Sequence, residues 1–76
     1  MKVDNAKQLL RLLGQKIRAE RVSKGWSQEE LAEKAGLHRT YIGMIERAEK
    51  NLTVVNLNRI AVALDLSIRD LLDFEC

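Results

Sequence analysis

The chain has 76 residues and a net charge of +2, no proline, and no apolar run that approaches the roughly 20 residues of a membrane span. This length allows one domain, so we expect residues 1–76 to form a single unit. The sequence excludes most enzyme classes, because one histidine, one cysteine and no phosphate-binding glycine loop offer no catalytic constellation, metal site or cofactor site. The lone Cys76 has no partner for an internal disulfide, and the start of the chain lacks a signal peptide; both fit a reducing cytosol.

The first predicted helix runs from about Asn5 to Lys24 and ends where Gly25 can take a positive φ. Gly14 inside it costs about 1 kcal/mol relative to alanine, which weakens its first half. Its inward stripe is predicted to contain Leu10, Leu13, Ile17 and Val22. Trp26, just beyond its end, is expected in the core.

The second and third predicted helices form a pair. Ser27 followed by Glu30 is a capping box that starts the second helix, and Gly36 ends it. The third starts at about His38 or Arg39. Leu37 anchors the entry to the third helix, and the inward residues of the pair are Leu31, Ala32, Ala35, Ile42 and Ile45. Two short helices joined by a tight turn predict a helix-turn-helix.

Residues 48–52 are predicted to be a loop, after which Thr53 caps a fourth helix. Its inward face consists of Leu57, Ile60, Ala61 and Leu64. Ser67 and Asp70 cap a short fifth helix that carries Ile68, Leu71, Leu72 and Phe74. This apolar stripe exceeds what so short a helix needs, so we predict that part of it forms a homodimer interface; a role in the core alone is the alternative.

The charge distribution and the helix pair together indicate a nucleic-acid surface. Residues 1–50 carry 11 Lys/Arg and 7 Asp/Glu, whereas residues 51–76 carry 2 and 4, so the first part is basic and the second acidic. In a helix-turn-helix the second helix enters the major groove. The residues at its start and one turn later would then face base edges: Arg39, Thr40, Gly43 and Met44.

Residues 25–37, with residues 38–47 after them, resemble the helix-turn-helix of the lambda repressor and Cro-like family. The likeness covers about residues 9–74 and implies an all-α, compact five-helix fold. Within the family, residues 39–42, 45–47 and 51–53 are most similar to the controller proteins of restriction–modification systems.

The resemblance implies a role for each matched position. Arg39 would read a guanine through O6 and N7, and Thr40 a base edge or a thymine methyl group. Gln28 would hold a phosphate and extend to a base, and Arg21 would pair with Glu46 inside the protein. The remaining predicted contacts to the DNA backbone are Ser27, His38, Tyr41, Arg47, Lys50 and Asn51. The alternatives are solvated side chains for the cations, a core-covering ring for Tyr41 and turn chemistry for Asn51.

Two positions depart from the common family choices. His38 is a poorer helix cap than Asp, Ser or Thr, although as a cation it suits a phosphate. Met44 places an apolar side chain where relatives have a polar or small residue, which suits a thymine methyl group.

As a whole, the resemblance implies a homodimeric transcription regulator of bacterial or phage origin. It would bind a pseudo-palindromic double-stranded DNA operator in the cytoplasm, at the nucleoid, with its two recognition helices about 34 Å apart. It implies control of its own promoter and that of a nuclease, with RNA polymerase as a further candidate partner and no membrane, small-molecule ligand or cofactor. The alternatives are a phage or chromosomal repressor, an antitoxin, and a protein-interaction module that kept the fold without DNA binding.

Overall fold

The computed structural model describes residues 5–74, which form five α-helices and no strand. The helices are α1 (Ala6–Ser23), α2 (Gln28–Ala35), α3 (Arg39–Glu46), α4 (Val54–Ala63) and α5 (Ile68–Leu71). Their Cα atoms have a radius of gyration of 11.3 Å. The predicted all-α, five-helix architecture is therefore confirmed, whereas Cys76 lies outside the described residues. Within residues 5–74, no helix combines the length and apolar character that crossing a membrane requires.

The predicted N-terminal caps of α2, α4 and α5 are present. Ser27 Oγ accepts the Glu30 N–H at 3.0 Å, and the Glu30 carboxylate accepts the Ser27 N–H at 3.1 Å. Ser67 and Asp70 form the same box, and these hydrogen bonds lower the pKa of Asp70. His38 precedes α3 without a side-chain cap, in line with the weakness predicted for imidazole there.

The C-terminal ends of α1 to α4 share one backbone arrangement. A residue in the left-handed region follows each helix, and the next N–H reaches back to a carbonyl of the last turn, as in a Schellman motif. Glycine holds this position after α1 and α2, as predicted. Ala48, with φ 61°, and Asp65, with φ 59°, hold it after α3 and α4. These two were not predicted, because neither is a glycine or an asparagine, the residues that most often hold this position.

The core is one cluster to which every helix contributes. Its buried members are Leu13, Ile17, Leu31, Ala32, Ala35, Ile42, Ile45, Leu57, Ile60, Ala61, Leu64 and Leu71. The inward residues predicted for α2, α3 and α4 are thus confirmed.

The inward stripe predicted for α1 is wrong at its end. The Val22 residue is 55% exposed, and Leu10 is only half-buried. Val22 lies five positions after Ile17, and at 3.6 residues per turn this offset rotates Val22 well away from the inner face. Arg21, four residues after Ile17, takes the inward position instead.

The short α5 packs against α1 and α4, and this placement corrects one of the predicted dimer contacts. Leu71 is fully buried in the core of its own chain, so it is not available to a second copy. Ile68, Leu72 and Phe74 are half-buried and pack at the edge of the core.

Gly14 lies inside a continuous α1, where α1 crosses the end of α3. A Cβ atom at this position would lie 2.5 Å from the Ile45 carbonyl oxygen and 2.9 Å from that of Glu46. The glycine therefore permits a close helix crossing, and the intrinsic helix penalty predicted from the sequence is offset by packing.

Candidate nucleic-acid interface

The α2–α3 pair forms a compact unit around the turn at residues 36–38. Ala32 on α2 is 3% exposed and Ile42 on α3 is 0% exposed, so small and apolar side chains let the two helices pack closely. Gly36, with φ 70°, reverses the chain between them. This is the predicted helix-turn-helix, and it leaves one face of α3 turned away from the core.

An ion pair fixes α3 to α1. The Arg21 guanidinium donates from Nε to Glu46 Oε2 at 2.7 Å and from Nη2 to Glu46 Oε1 at 3.1 Å. The third guanidinium nitrogen, Nη1, donates to the Trp26 carbonyl oxygen at 2.6 Å. Both side chains are largely buried, at 11% and 3% exposed, and the hydrogen bond to Glu46 raises the pKa of Arg21. The predicted structural ion pair is confirmed.

Gln28 joins the same carboxylate from α2. Its Nε2 donates to Glu46 Oε1 at 3.1 Å, so Glu46 links α1, α2 and α3. The sequence predicted that the Gln28 side chain would hold a phosphate, whereas in the structure the donor end of this side chain is directed inward. The hydrogen bond was not predictable, because nothing in the sequence pairs these two positions.

The outward face of α3 is a shallow depression lined by Gln28, Arg39, Thr40, Gly43 and Arg47. Arg39 has a side chain that is 74% exposed, and its Nη1 lies 4.0 Å from the equally exposed Glu29 Oε2. Arg47 Nε lies 3.2 Å from Glu49 Oε2. Solvent-exposed pairs of this kind are weak, so both guanidinium groups remain available to a ligand. The structure thus brings together Arg39 and Thr40, two of the predicted base-reading residues; Met44 is half-buried on the same helix.

Gly43 requires a correction. The sequence predicted that it would face base edges, but the residue is buried. A Cβ atom on it would lie 3.0 Å from Arg47 Nη1 and 3.3 Å from Gln28 Oε1, so these two side-chain ends cover it. Gly43 thus lines the depression beneath these two side-chain ends, and its lack of a side chain leaves room for them.

Tyr41 links α3 to α4. Its hydroxyl oxygen accepts a hydrogen bond from Asn56 Nδ2 at 3.1 Å, while its half-buried ring packs against the core. The hydroxyl keeps its own proton to donate. Asn56 was missed in the sequence, because an asparagine in the first turn of a helix signals only capping chemistry.

The other residues predicted to contact the DNA backbone lie next to α2 and α3, the helices that form the depression. The Ser27 hydroxyl is engaged as the α2 cap, and His38 is exposed at the start of α3. Lys50 and Asn51 are exposed in the loop that follows α3.

Trp26 sits at the junction of α1 and α2 and is half-buried, so the core position predicted for it is only partly right. Its ring packs against the core cluster and is flanked by two cations. Lys34 Nζ lies 4.8 Å and Lys24 Nζ 5.6 Å from the ring centroid, within the range of cation–π attraction. Among residues 5–74, no group of His, Cys, Asp and Glu side chains is placed to hold a metal ion.

Comparison with known proteins agrees with this geometry. Residues 17–71 match the helix-turn-helix family. The control protein C.BamHI of Bacillus amyloliquefaciens is 50% identical over 64 residues, which cover 83% of this chain and 79% of the relative. Among solved structures, the restriction–modification controller protein C.AhdI from Aeromonas hydrophila is 45% identical, with a TM-score of 0.80, covering 82% of this chain and 94% of that one.

A second kind of relative also matches. SinR, described as the master regulator for biofilm formation and solved in complex with DNA, is 42% identical with a TM-score of 0.75. The match covers 80% of this chain and 98% of that structure. The chain therefore belongs to the helix-turn-helix family, which here includes restriction–modification control proteins and SinR-type regulators.

Proposed function

We propose that this protein is a sequence-specific DNA-binding transcription regulator that acts as a restriction–modification controller in the bacterial cytoplasm. It binds double-stranded operator DNA as a homodimer and performs no catalysis. The likeness to C.BamHI and C.AhdI supports the controller role, which would place its own promoter and that of a nuclease under its control.

The proposal rests on one observation: Arg39 is exposed on a helix whose other end is bonded to α1 and α2. The Arg39 side chain is 74% exposed on the first turn of α3, while Glu46 on the last turn is held by α1 and α2. A planar guanidinium suits the O6 and N7 acceptors of guanine, and Thr40 beside it suits a thymine methyl group or a base edge.

Contacts to phosphates would surround this reading surface. Arg47 lies on the edge of the depression, and Lys50 and Asn51 follow it in an exposed loop. Tyr41 offers a hydroxyl proton from the other side of α3, and the N-terminal end of α2 with Ser27 offers backbone N–H groups. His38 adds a cation when protonated.

A dimer interface is supported by exposed apolar side chains on the second half of the chain. Ile68, Leu72 and Phe74 are only half-buried, as a shared interface requires. Three valines of α4 that the sequence pattern did not single out are more exposed still: Val54 at 72%, Val55 at 65% and Val62 at 67%. A twofold dimer would place two α3 helices about one DNA turn apart, facing a pseudo-palindrome.

A stand-alone repressor is the second candidate, and the likeness to the SinR–DNA complex favours it. The two candidates share the DNA-binding face and differ in the genes they control. A methyltransferase and a nuclease encoded beside this gene support the controller, whereas an integrase or a toxin supports the alternatives. RNA polymerase becomes a partner only if the regulator activates transcription.

The test is selection of bound sites from random duplex DNA, followed by binding of substituted proteins to the selected site. We expect the wild-type protein to enrich a pseudo-palindrome, and Arg39→Ala to lose about 1–3 kcal/mol of discrimination at one base pair of each half-site. Lys50→Ala should weaken binding to all sequences alike and reduce the salt slope by about one. Arg18→Ala, which removes an exposed cation from the outer face of α1, is the matched control and should change neither.

Two results would contradict the proposal. Equal losses on selected and random DNA for Arg39→Ala would remove its assignment as a base reader. Failure of the wild-type protein to enrich any sequence, with little retention on duplex DNA at moderate salt, would favour a protein-interaction module instead.

A further inference from the structure

The orientation of the Gln28 amide is settled by its partner. A carboxylate only accepts hydrogen bonds, so the group that approaches Glu46 Oε1 at 3.1 Å must be the amide nitrogen of Gln28. The same oxygen also accepts from Arg21 Nη2, which holds the carboxylate in place behind α3. The buried ion pair therefore fixes which end of Gln28 turns inward.

The opposite end of the amide lies over the depression. Gln28 Oε1 would be 3.3 Å from a Cβ atom on Gly43, and both residues line the outward face with Arg39 and Thr40. Because Gly43 has no side chain, the Gln28 carbonyl oxygen sits beside the residues that would read bases. The depression thus contains a hydrogen-bond acceptor, Gln28 Oε1, as well as two donors, the Arg39 and Arg47 guanidinium groups.

A hydrogen-bond acceptor in the depression can bind only those groups of DNA that donate hydrogen bonds. Phosphate oxygens are acceptors too and gain nothing from a carbonyl oxygen. In the major groove the hydrogen-bond donors are the N6 amine of adenine and the N4 amine of cytosine. Glu46 engages one of the two N–H groups of the amide nitrogen, so the carbonyl oxygen is the end of the amide that is left without a partner inside the protein.

We propose that Gln28 is a specificity-determining residue whose carbonyl oxygen accepts a hydrogen bond from the amino group of an adenine or cytosine, with Glu46 as its positioning residue. The proposal rests on the DNA-binding function proposed above. It replaces the phosphate contact expected for this side chain and specifies the atom and the base group of the expected base contact. It makes the buried ion pair part of base selection as well as of stability.

The experiment removes the amine from the DNA and the acceptor from the protein. In the selected operator, each adenine of a half-site is replaced in turn by purine and each cytosine by 2-pyrimidinone, which lack only the exocyclic amine. We expect one position at which this change weakens wild-type binding about three- to tenfold and leaves Gln28→Met unaffected. Gln15→Met makes the same chemical change on the outer face of α1 and should respond as wild type does.

The outcomes separate the two proposals. If Gln28→Met weakens binding to every sequence alike and reduces the salt slope, Gln28 holds a phosphate and this inference is wrong while the DNA-binding function stands. The inference also fails if every amine removal affects wild type and Gln28→Met equally. If the wild-type protein selects no site, the proposed function itself fails. Gln28→Ala repeats the comparison with a smaller side chain, and thermal unfolding of each variant identifies any loss of fold.

Discussion

The two sides of α3 are built on different physical principles. On the inner side, Gly14 of α1 lies against the carbonyl groups of Ile45 and Glu46, and the Glu46 carboxylate is 3% exposed and ion-paired. On the outer side, Arg39 and Arg47 are exposed and their acidic neighbours hold them only weakly. The inner side of this eight-residue helix is therefore held rigidly by the rest of the domain, whereas the side chains on its outer side can change conformation.

The contrast is visible at two glycines: Gly14 of α1 packs against the inner side of α3, and Gly43 of α3 lies on the outer side. A Cβ atom at Gly14 would meet backbone oxygens, which move only if two helices separate. A Cβ atom at Gly43 would meet the exposed end of Arg47, which moves readily, and the end of Gln28, which must shift only slightly. A glycine-to-alanine substitution should thus affect stability on the inner side and DNA recognition on the outer side.

The largest effect should come from the inner carboxylate. Glu46→Ala leaves the Arg21 guanidinium without its charge partner in a largely buried site, which should lower the free energy of unfolding by about 3–5 kcal/mol. Chemical denaturation monitored by circular dichroism measures the change. Glu49→Ala removes the acidic partner of exposed Arg47 and should cost less than about 1 kcal/mol. Similar losses for the two variants would mean that the inner pair is no stronger than a surface pair.

The glycine pair should give the next largest effect. Gly14→Ala should destabilise the fold by about 1–3 kcal/mol despite the better helix propensity of alanine, because the methyl group overlaps the Ile45 carbonyl. Gly43→Ala should leave stability unchanged or raise it by up to about 1 kcal/mol, and weaken operator binding by displacing Arg47 and Gln28. Unfolding and binding measured on both variants test this reversal, which would be refuted if Gly14→Ala were as stable as wild type.

The smallest effect is expected at the C-terminal end of α3. Ala48 adopts φ 61°, a conformation that costs a non-glycine residue about 1 kcal/mol, so Ala48→Gly should stabilise the protein by about that amount. Ala19→Gly, at an exposed position inside α1, should instead cost about 1 kcal/mol. The difference in melting temperature between the two variants checks the sign. A loss of stability in Ala48→Gly would show that the left-handed turn carries no strain.

The sequence predicted the elements better than the contacts between them. Capping boxes at Ser27 and Ser67 and the reversal at Gly36 are local signals, so the helix-turn-helix and its boundaries could be found from the chain alone. The outward position of Val22 follows from its spacing after Ile17, which the predicted stripe did not respect. The burial of Leu71 depends on how the short α5 packs against its neighbours, which periodicity leaves open.

The candidate site shows the same division. The exposure of Arg39 and the Arg21–Glu46 pair agree with the roles that the resemblance implied. The hydrogen bond from Gln28 to Glu46 and the one from Asn56 to Tyr41 join side chains 18 and 15 positions apart. Such pairs depend on the crossing of helices, and a single sequence carries no record of them.

The position of Trp26 gives the molecule an optical reporter of its own fold. It is the only tryptophan of the chain, its ring lies beside two lysine ammonium groups, and its carbonyl oxygen accepts from Arg21. Its intrinsic fluorescence therefore reports on the α1–α2 junction, on which the inner side of α3 depends. Loss of the junction can thus be followed by fluorescence in an unlabelled sample.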